Sequence, residues 1–215
     1  MTSPSPRFSV HDLDCRRGDR LVFRGVSFAL GGSASLILRG PNGSGKSSLL
    51  RVLAGLTPPL SGSLRWEGQD IAEDWAAHRA RLHFIGHLDP LKPVLTAAEM
   101  LLFWSLLRGG SPATARRALE QFRLDGLADL PCRFLSAGQR RRLSLARLVA
   151  STAQLWLLDE PTIGLDEASI GDLVAAIAEH RTTGGIVIAA THVPLALEGA
   201  AVLAMDEFAR REPVA

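Results

Sequence analysis

Cysteine and tyrosine are scarce in this sequence, whose 215 residues include two cysteines and no tyrosine. Cys15 and Cys132 lie far apart and form no C-x-x-C pair. This spacing argues against a disulfide or a thiolate metal site. We therefore predict that both cysteines are free, reduced thiols.

Long apolar runs are also absent. The runs Leu101–Leu107 and Leu155–Leu158 fall well short of the roughly 18 residues that span a bilayer. The N-terminal residues Met1–Arg7 lack the apolar segment of a secretory signal, so we expect synthesis and residence in the cytosol. The formal net charge of +2 gives no reason to expect nucleic acid as a partner.

A complete phosphate-binding loop, G-x-x-x-x-G-K-S, occupies residues 40–47. The apolar run Ser35–Leu38 precedes it and a helical pattern over Ser48–Ala54 follows it, which is the setting that such a loop requires. Backbone N–H groups of the loop converge on phosphate oxygens, Lys46 reaches the β- and γ-phosphates, and the Ser47 hydroxyl binds Mg²⁺. The predicted nucleotide-binding residues are Gly40, Pro41, Asn42, Gly43, Ser44, Gly45, Lys46, Ser47 and Ser48.

Apolar runs alternate with helical patterns, which predicts an α/β fold. Leu155–Leu158 and Ile186–Ala190 are apolar throughout, as is typical of parallel strands covered on both faces. Earlier runs between tight polar turns indicate an antiparallel β layer, and the pattern from Thr96 to Ala150 is almost wholly helical. We predict one domain with a mainly parallel core sheet, about 1–88 and 152–215, and a helical lobe, about 89–151.

Two carboxylates end one of the predicted core strands. Asp159 is predicted to bind the metal next to Ser47, and Glu160 to polarise the water that attacks the γ-phosphorus. His192 follows the strand Ile186–Ala190 and could donate to the γ-phosphate. The alternatives are an ordinary turn before Pro161 and a solvated loop histidine.

The segment Leu135–Gln139 begins a helix that presents Ser136 and free N–H groups, a second anion-binding end. The alternative is a plain N-cap at Ser136. A second phosphate-binding end so far along the chain is hard to use within one small subunit. We therefore interpret it as serving a nucleotide held by another copy.

Taken in order, these elements resemble the ATP-binding cassette (ABC) ATPases. The resemblance implies ATP and Mg²⁺ as cofactors, metal binding by Ser47 and Asp159, catalysis by Glu160 and His192, and a homodimer of cassettes. It further implies that Asp166, in the D-loop Gly164–Asp166, lies at the dimer interface. The signature residues implied to close over the partner's ATP are Ser136, Ala137, Gly138 and Gln139.

Two positions depart from the general cassette pattern. His87 stands where most cassettes have the Q-loop glutamine, so metal contact and pH-dependent coupling both stay open at this position, because an imidazole titrates near pH 6.5. Arg17 falls near the position of the aromatic residue that stacks on adenine. Its guanidinium plane could stack on the base, and a solvent-exposed arginine is the alternative.

The segments Phe84–Thr96 and Leu135–Leu148 narrow the resemblance to the ATPase subunits of bacterial cytochrome c maturation, or haem exporter, systems. That resemblance implies a peripheral subunit on the cytoplasmic face of the inner membrane, partnered by integral subunits like CcmB and CcmC. Its ATP hydrolysis would release the haem-loaded chaperone CcmE. No direct haem site is evident, since no C-x-x-C-H pattern or axial histidine is visible.

The segment His87–Trp104 is the candidate contact with the membrane subunits; the alternative is that Phe103 and Trp104 pack the helical lobe. Three other functions stay open. They are the ATPase of a transporter for another substrate, a soluble non-transport cassette protein, and a P-loop kinase or GTPase. A P-loop kinase or GTPase would lack the signature Leu135–Gln139. A soluble non-transport cassette protein usually has two cassettes or a long insertion.

Overall fold

The computed structural model describes residues 6–193 and 195–209, so the first five residues of the predicted polar N-terminal segment lie outside the described residues. The strands are β1 (Phe8–Arg17), β2 (Arg20–Leu30), β3 (Ser35–Arg39), β4 (Ser61–Trp66), β5 (Gln69–Asp70), β6 (Leu82–Ile85), β7 (Leu155–Asp159), β8 (Ile186–Ala190) and β9 (Ala201–Ala204). The helices are α1 (Lys46–Leu53), α2 (Trp75–Ala80), α3 (Ala97–Leu107), α4 (Pro112–Gln121), α5 (Ala137–Ala150) and α6 (Glu167–Thr182).

The predicted parallel sheet is confirmed. Its strand order is β6-β7-β8-β3-β9, and each neighbouring pair runs parallel. Every residue of β7 and β8 is buried, which explains why both strands are apolar throughout. Because the strands are parallel, the carboxyl ends of β3, β7 and β8 meet at one edge of the sheet.

The predicted antiparallel layer is also confirmed, as a second sheet of order β2-β1-β4-β5. Its strand β1 runs on to Arg17, although only residues 8–10 form an apolar run in the sequence. The extension escapes a hydrophobicity reading because half of its side chains are polar and face outward. Arg17 therefore stands at the end of a strand rather than within a turn.

The core sheet separates two apolar clusters. On β7, Leu155 and Leu157 pack with the antiparallel layer and α1, while Trp156 and Leu158 pack with α3, α4 and α5. This division follows from the alternation of side chains along a strand. The nucleotide-side cluster and the helical cluster are thus two faces of one rigid sheet.

The helices between Thr96 and Ala150 begin at local sequence signals. Thr96 and Glu99 form the capping box of α3, and Pro112 is the first residue of α4. Trp104 packs on the helical cluster, but Phe103 is 47% exposed, so the packing alternative is wrong for Phe103. The limits of the lobe at 89 and 151 stay a prediction.

Cys15 and Cys132 are buried and free, as predicted, and burial raises the pKa of each thiol. In the described ranges, no helix combines the length and the apolar character needed to cross a membrane. The same ranges hold no cluster of three or more histidine, cysteine or acidic side chains that could bind a metal ion.

Candidate active site

The phosphate loop joins β3 to α1 in a shape that requires glycine. Gly40, Gly43 and Gly45 have positive φ angles of 142°, 82° and 99°. A Cβ atom at Gly45 would lie 2.9 Å from Cγ1 of Val22 on β2. Gly45 is also the N-cap of α1 and offers no side-chain cap to it. The start of α1 is therefore suited to receive an anion.

Lys46 is the first residue of α1 and is 7% exposed. Its Nζ donates to the carbonyl oxygens of Gly40 at 2.7 Å and of Pro41 at 3.1 Å. The amine thus forms hydrogen bonds with the backbone of its own loop. It can exchange these carbonyls for phosphate oxygens without leaving the loop, because an ammonium group carries three donors.

Ser47 and Asp159 meet at the edge of the sheet, 112 residues apart in sequence. The Ser47 hydroxyl donates to Oδ1 of Asp159 at 2.9 Å, and Asp159 is buried. Nε2 of His87 lies 3.3 Å from Oδ2 of the same carboxylate, although the His87 side chain is 56% exposed. One buried carboxylate therefore contacts both the loop serine and the residue at the Q-loop position.

Glu160 lies in the left-handed region, with φ of 48°. Its backbone N–H donates to the Ala190 carbonyl at 2.8 Å. One carboxylate oxygen lies 3.3 Å from Nε2 of His192, and the other accepts the His192 backbone N–H at 3.3 Å. Nε2 of His192 also lies 2.9 Å from Oδ1 of Asn42. Because an amide oxygen only accepts, that contact requires the proton on Nε2.

Lys46, Ser47, His87, Glu160 and His192 line one cavity of about 700 Å³, whereas Asp159 is not among its lining residues and meets them through Ser47 and His87. Arg17, Arg20 and Val22 form its wall on the side of the β1–β2 turn. No phenylalanine or tryptophan is among its lining residues in the described part of the chain. Of the predicted loop residues, Gly40, Pro41 and Ser44 are not among the residues that line it. The lining residues are Arg17, Arg20, Val22, Asn42, Gly43, Gly45, Lys46, Ser47, Ser48, His87, Glu160, Ile163 and His192.

The signature residues do not line this cavity. Ser136 caps α5: its hydroxyl accepts the Gln139 N–H at 3.2 Å, and the Gln139 side chain accepts the Ser136 N–H at 2.8 Å. Ser136 and Ala137 are exposed. Within one chain, the start of α5 therefore lies outside the cavity that the start of α1 lines.

The D-loop lies beside the signature. A Cβ atom at Gly138 would approach the Gly164 carbonyl at 3.1 Å, so the start of α5 touches this loop within one chain. Asp166 is exposed and caps α6 by accepting the Ser169 N–H at 2.8 Å. The hydrogen bonds from Ser169 hold the pKa of the Asp166 carboxyl below its usual range.

Four residues of the site region were not predicted from the sequence, namely Arg20, Val22, Arg141 and Ile163, the last of which lines the cavity. Arg20 and Val22 lie on β2 and reach the cavity because β2 packs beside Gly45 at the start of α1, which no local pattern indicates. Arg141 bonds the backbone at the end of β7 and the His87 loop. The only indication of Arg141 in the sequence is a basic residue at a helix position where the spacing of apolar residues predicts a buried side chain.

The class of protein now follows from the fold and the site. A sequence model described as ABC transporter matches residues 23–163. An ATP-binding cassette solved as a dimer in a post-hydrolysis state with ADP and Pi has a TM-score of 0.76 and 21% identity, over 86% of this chain and 88% of that chain. At that identity the likeness shows the fold alone.

The chain belongs to the ABC transporter family, and it is an ATP-binding ATPase. It is 54% identical to the cytochrome c biogenesis ATP-binding export protein CcmA of Rhodospirillum rubrum, over 94% of this chain and 87% of that protein. It is 52% identical to the CcmA protein of Paramagnetospirillum magneticum, over 95% and 96%. The predicted family and fold class are thus confirmed.

Proposed function

We propose that this chain is the ATP-hydrolysing subunit of a membrane ABC complex for cytochrome c maturation, coupling hydrolysis to haem delivery. The observation that carries the proposal is the 54% identity to a cytochrome c biogenesis export protein along 94% of the chain. The chain itself offers no haem site, because both thiols are buried and lie in no C-x-x-C-H pattern. Its contribution is the work of hydrolysis.

The phosphate loop binds the triphosphate. Backbone N–H groups at the uncapped start of α1 donate to phosphate oxygens, and Lys46 lines the same cavity. Ser47 and Asp159 provide a hydroxyl and a carboxylate, already 2.9 Å apart, which are the hard oxygen donors that Mg²⁺ prefers. These two residues would hold the ion. When bound, it neutralises charge that develops on the phosphates.

Glu160 orients the attacking water. Glu160 lines the cavity, and its carboxylate contacts His192, which in turn contacts the loop residue Asn42. His192 carries its proton on Nε2 and can transfer that hydrogen bond from Asn42 to a γ-phosphate oxygen. His192 would in this way report whether the γ-phosphate is present.

The nucleobase lies against arginine rather than an aromatic ring. Arg17 and Arg20 stand on the cavity wall opposite the loop, and a guanidinium plane can stack on adenine. His87 acts on the other side, where its imidazole contacts the Asp159 carboxylate. A contact of His87 with the metal is not needed for this arrangement.

Two copies of the chain complete the sites. The signature residues Ser136, Ala137, Gly138 and Gln139 stand outside their own cavity, with Ser136 exposed at the start of α5. They would close over the γ-phosphate of ATP in the other copy, with Asp166 at the interface. Hydrolysis would then remove the ligand that joins the copies and open the pair.

The contact with the membrane subunits is the segment His87–Trp104. Leu88, Val94 and Phe103 are exposed to 86%, 70% and 47%. Apolar side chains grouped along one segment are typical of an interaction surface. We infer that integral subunits like CcmB and CcmC bind here, that the chain is peripheral on the cytoplasmic face of the inner membrane, and that hydrolysis releases the haem-loaded chaperone CcmE.

Affinity purification of the tagged chain from detergent-solubilised membranes of its own cell tests the proposal. Recovery of CcmB and CcmC, lost in a Phe103→Asp variant but kept in a Glu120→Lys variant on the exposed face of α4, is the expected result. Recovery of a different permease would keep the ATPase assignment but assign the chain to a transporter of another substrate. Recovery of ribosomal or DNA-bound proteins alone would overturn the transporter assignment.

A further inference from the structure

Arg141 is a buried arginine that none of the roles above uses. It lies on α5, five residues after Ser136, and is 5% exposed. A buried guanidinium is costly unless its donors are bonded, so its partners indicate what it holds in place. Those partners lie outside the helical segment.

One guanidinium joins two parts of the active site. Nη1 donates to the Gly86 carbonyl at 2.8 Å and to Oδ1 of Asp89 at 3.2 Å, on either side of His87. Nη2 donates to the Glu160 carbonyl at 2.8 Å and to the Asp159 carbonyl at 3.3 Å. Arg141 therefore connects the signature helix to the His87 loop and to the end of β7.

The bond to Glu160 bears on its backbone conformation. A non-glycine residue at φ of 48° is held there only where its surroundings fix it. The Ala190 carbonyl accepts the N–H of Glu160, and Arg141 donates to the carbonyl of Glu160. These two bonds hold the residue on both of its backbone polar groups, and so set the direction of its carboxylate.

We propose that Arg141 is a positioning residue that orients Glu160 and ties its position to that of the signature helix. This inference rests on the proposed role of Glu160 in hydrolysis. When ATP of the second copy binds Ser136 and Gly138, the same helix carries Arg141, and thus fixes Glu160 and the His87 loop of its own chain. Hydrolysis at one site then depends on ATP at the other.

Arg141→Met and Arg142→Met form a matched pair of variants. Arg142 is the next residue on α5, but its guanidinium donates to the carbonyls of Phe122 and Arg123 within the helical segment. In the complex co-purified with the tagged chain, we expect Arg141→Met to lower kcat about thirty-fold, because small misplacements of a reacting group are expensive. KM for ATP should stay within about twofold, since the phosphate loop is untouched, and the Hill coefficient for ATP should fall toward one.

A double-mutant cycle separates positioning from a general structural role. If Arg141 acts through Glu160, Arg141→Met should add little to the loss in a Glu160→Gln background, in single-turnover release of phosphate. Losses that add, a matching rise in KM, or equal behaviour of the two arginine variants would overturn the inference. A wild-type complex without ATPase activity, or a Glu160→Gln complex at normal turnover, would instead overturn the proposed hydrolytic role.

Arg141→Lys decides the question if the methionine variant does not fold. Lysine keeps the charge but lacks the planar fork that reaches the Gly86 and Glu160 carbonyls together. We expect kcat to fall at least fivefold with ATP affinity unchanged. Wild-type kcat in Arg141→Lys would show that charge alone suffices, and would overturn the positioning role.

Discussion

The two helix starts that the sequence marks as anion sites differ in how they are capped. At the start of α1, Gly45 has φ of 99° and provides no side-chain cap, and Lys46 beside it is buried. At the start of α5, Ser136 has φ of −63° and forms a capping box with Gln139, and Ser136 is exposed. One start is open within its own cavity, and the other is closed on itself at the surface.

The difference indicates how each start meets phosphate. An uncapped helix end keeps unsatisfied N–H groups, which a phosphate bound by the same chain can satisfy. A capped end is stable before any ligand arrives, since Ser136 already accepts from Gln139. We infer that bound ATP satisfies the free N–H groups of the phosphate loop. The signature end of α5 is already capped before it meets the ATP of a second copy.

Glu160→Gln should have the largest effect, and it tests the step that both helix starts serve. We expect turnover to fall about 100- to 1000-fold, because an amide cannot act as a base. ATP should still bind and hold the two copies together, so the variant should run as a dimer in ATP during size-exclusion chromatography. Glu120→Gln, an exposed position on α4, should behave as wild type. Near-normal turnover in Glu160→Gln would contradict the assignment.

Lys46→Ala should impair phosphate binding at the uncapped start of α1 and leave the start of α5 unchanged. Removing the ammonium group that faces the phosphates should weaken ATP binding about a hundredfold, or about 3 kcal/mol. Isothermal titration with ATP measures this loss, and Lys92→Ala, an exposed lysine, is the control. An unchanged dissociation constant would mean that Lys46 keeps its bonds to Gly40 and Pro41 when ATP binds.

Ser136→Ala should break the closed start alone. Loss of the cap should cost about 1 kcal/mol of unfolding free energy. ATP binding by the single chain should be unchanged, whereas the ATP-driven dimer should weaken. Ser111→Ala is a matched control, because Ser111 forms the same kind of capping box on α4. Equal dimerisation of the two variants in analytical ultracentrifugation would remove the signature from the dimer interface.

The pH dependence of stability should be independent of both helix starts. Burial is the main cause that lowers the pKa of His83 to about 3 and of His180 to about 4. Below pH 6.5 the unfolded chain therefore gains protons that the folded chain refuses. Stability should be complete above pH 6.5 and should fall on acidification by about 1.4 kcal/mol per pH unit for each group.

Urea unfolding between pH 7 and 5 measures this slope. His83→Gln should reduce it, while His11→Gln, at an exposed position, should leave it unchanged. An equal slope in wild type and His83→Gln would mean that His83 accepts a proton while folded. Neither variant should alter ATP affinity, which separates the buried histidines from the nucleotide site.

Much of the site was predictable because its chemistry is local. The glycines of residues 40–45, the helix after them, and the Asp159–Glu160 pair at the end of an apolar strand each follow from a few adjacent residues. The capping boxes at Thr96, Ser111 and Ser136 are local in the same sense, since each depends on two residues three positions apart. The length of β1 was not, because its outward side chains hide the strand from a hydrophobicity pattern.

The sequence by itself determined the phosphate loop, the order of the motifs and the family, because backbone conformation and short-range spacing encode them. Only the tertiary structure decided that His192 contacts Asn42 across 150 residues. It alone placed Arg20 and Val22 at the cavity and directed Arg141 toward Glu160. These contacts depend on how sheets and helices pack. Packing brings together residues that are distant in the sequence, and no local pattern around either residue indicates the other.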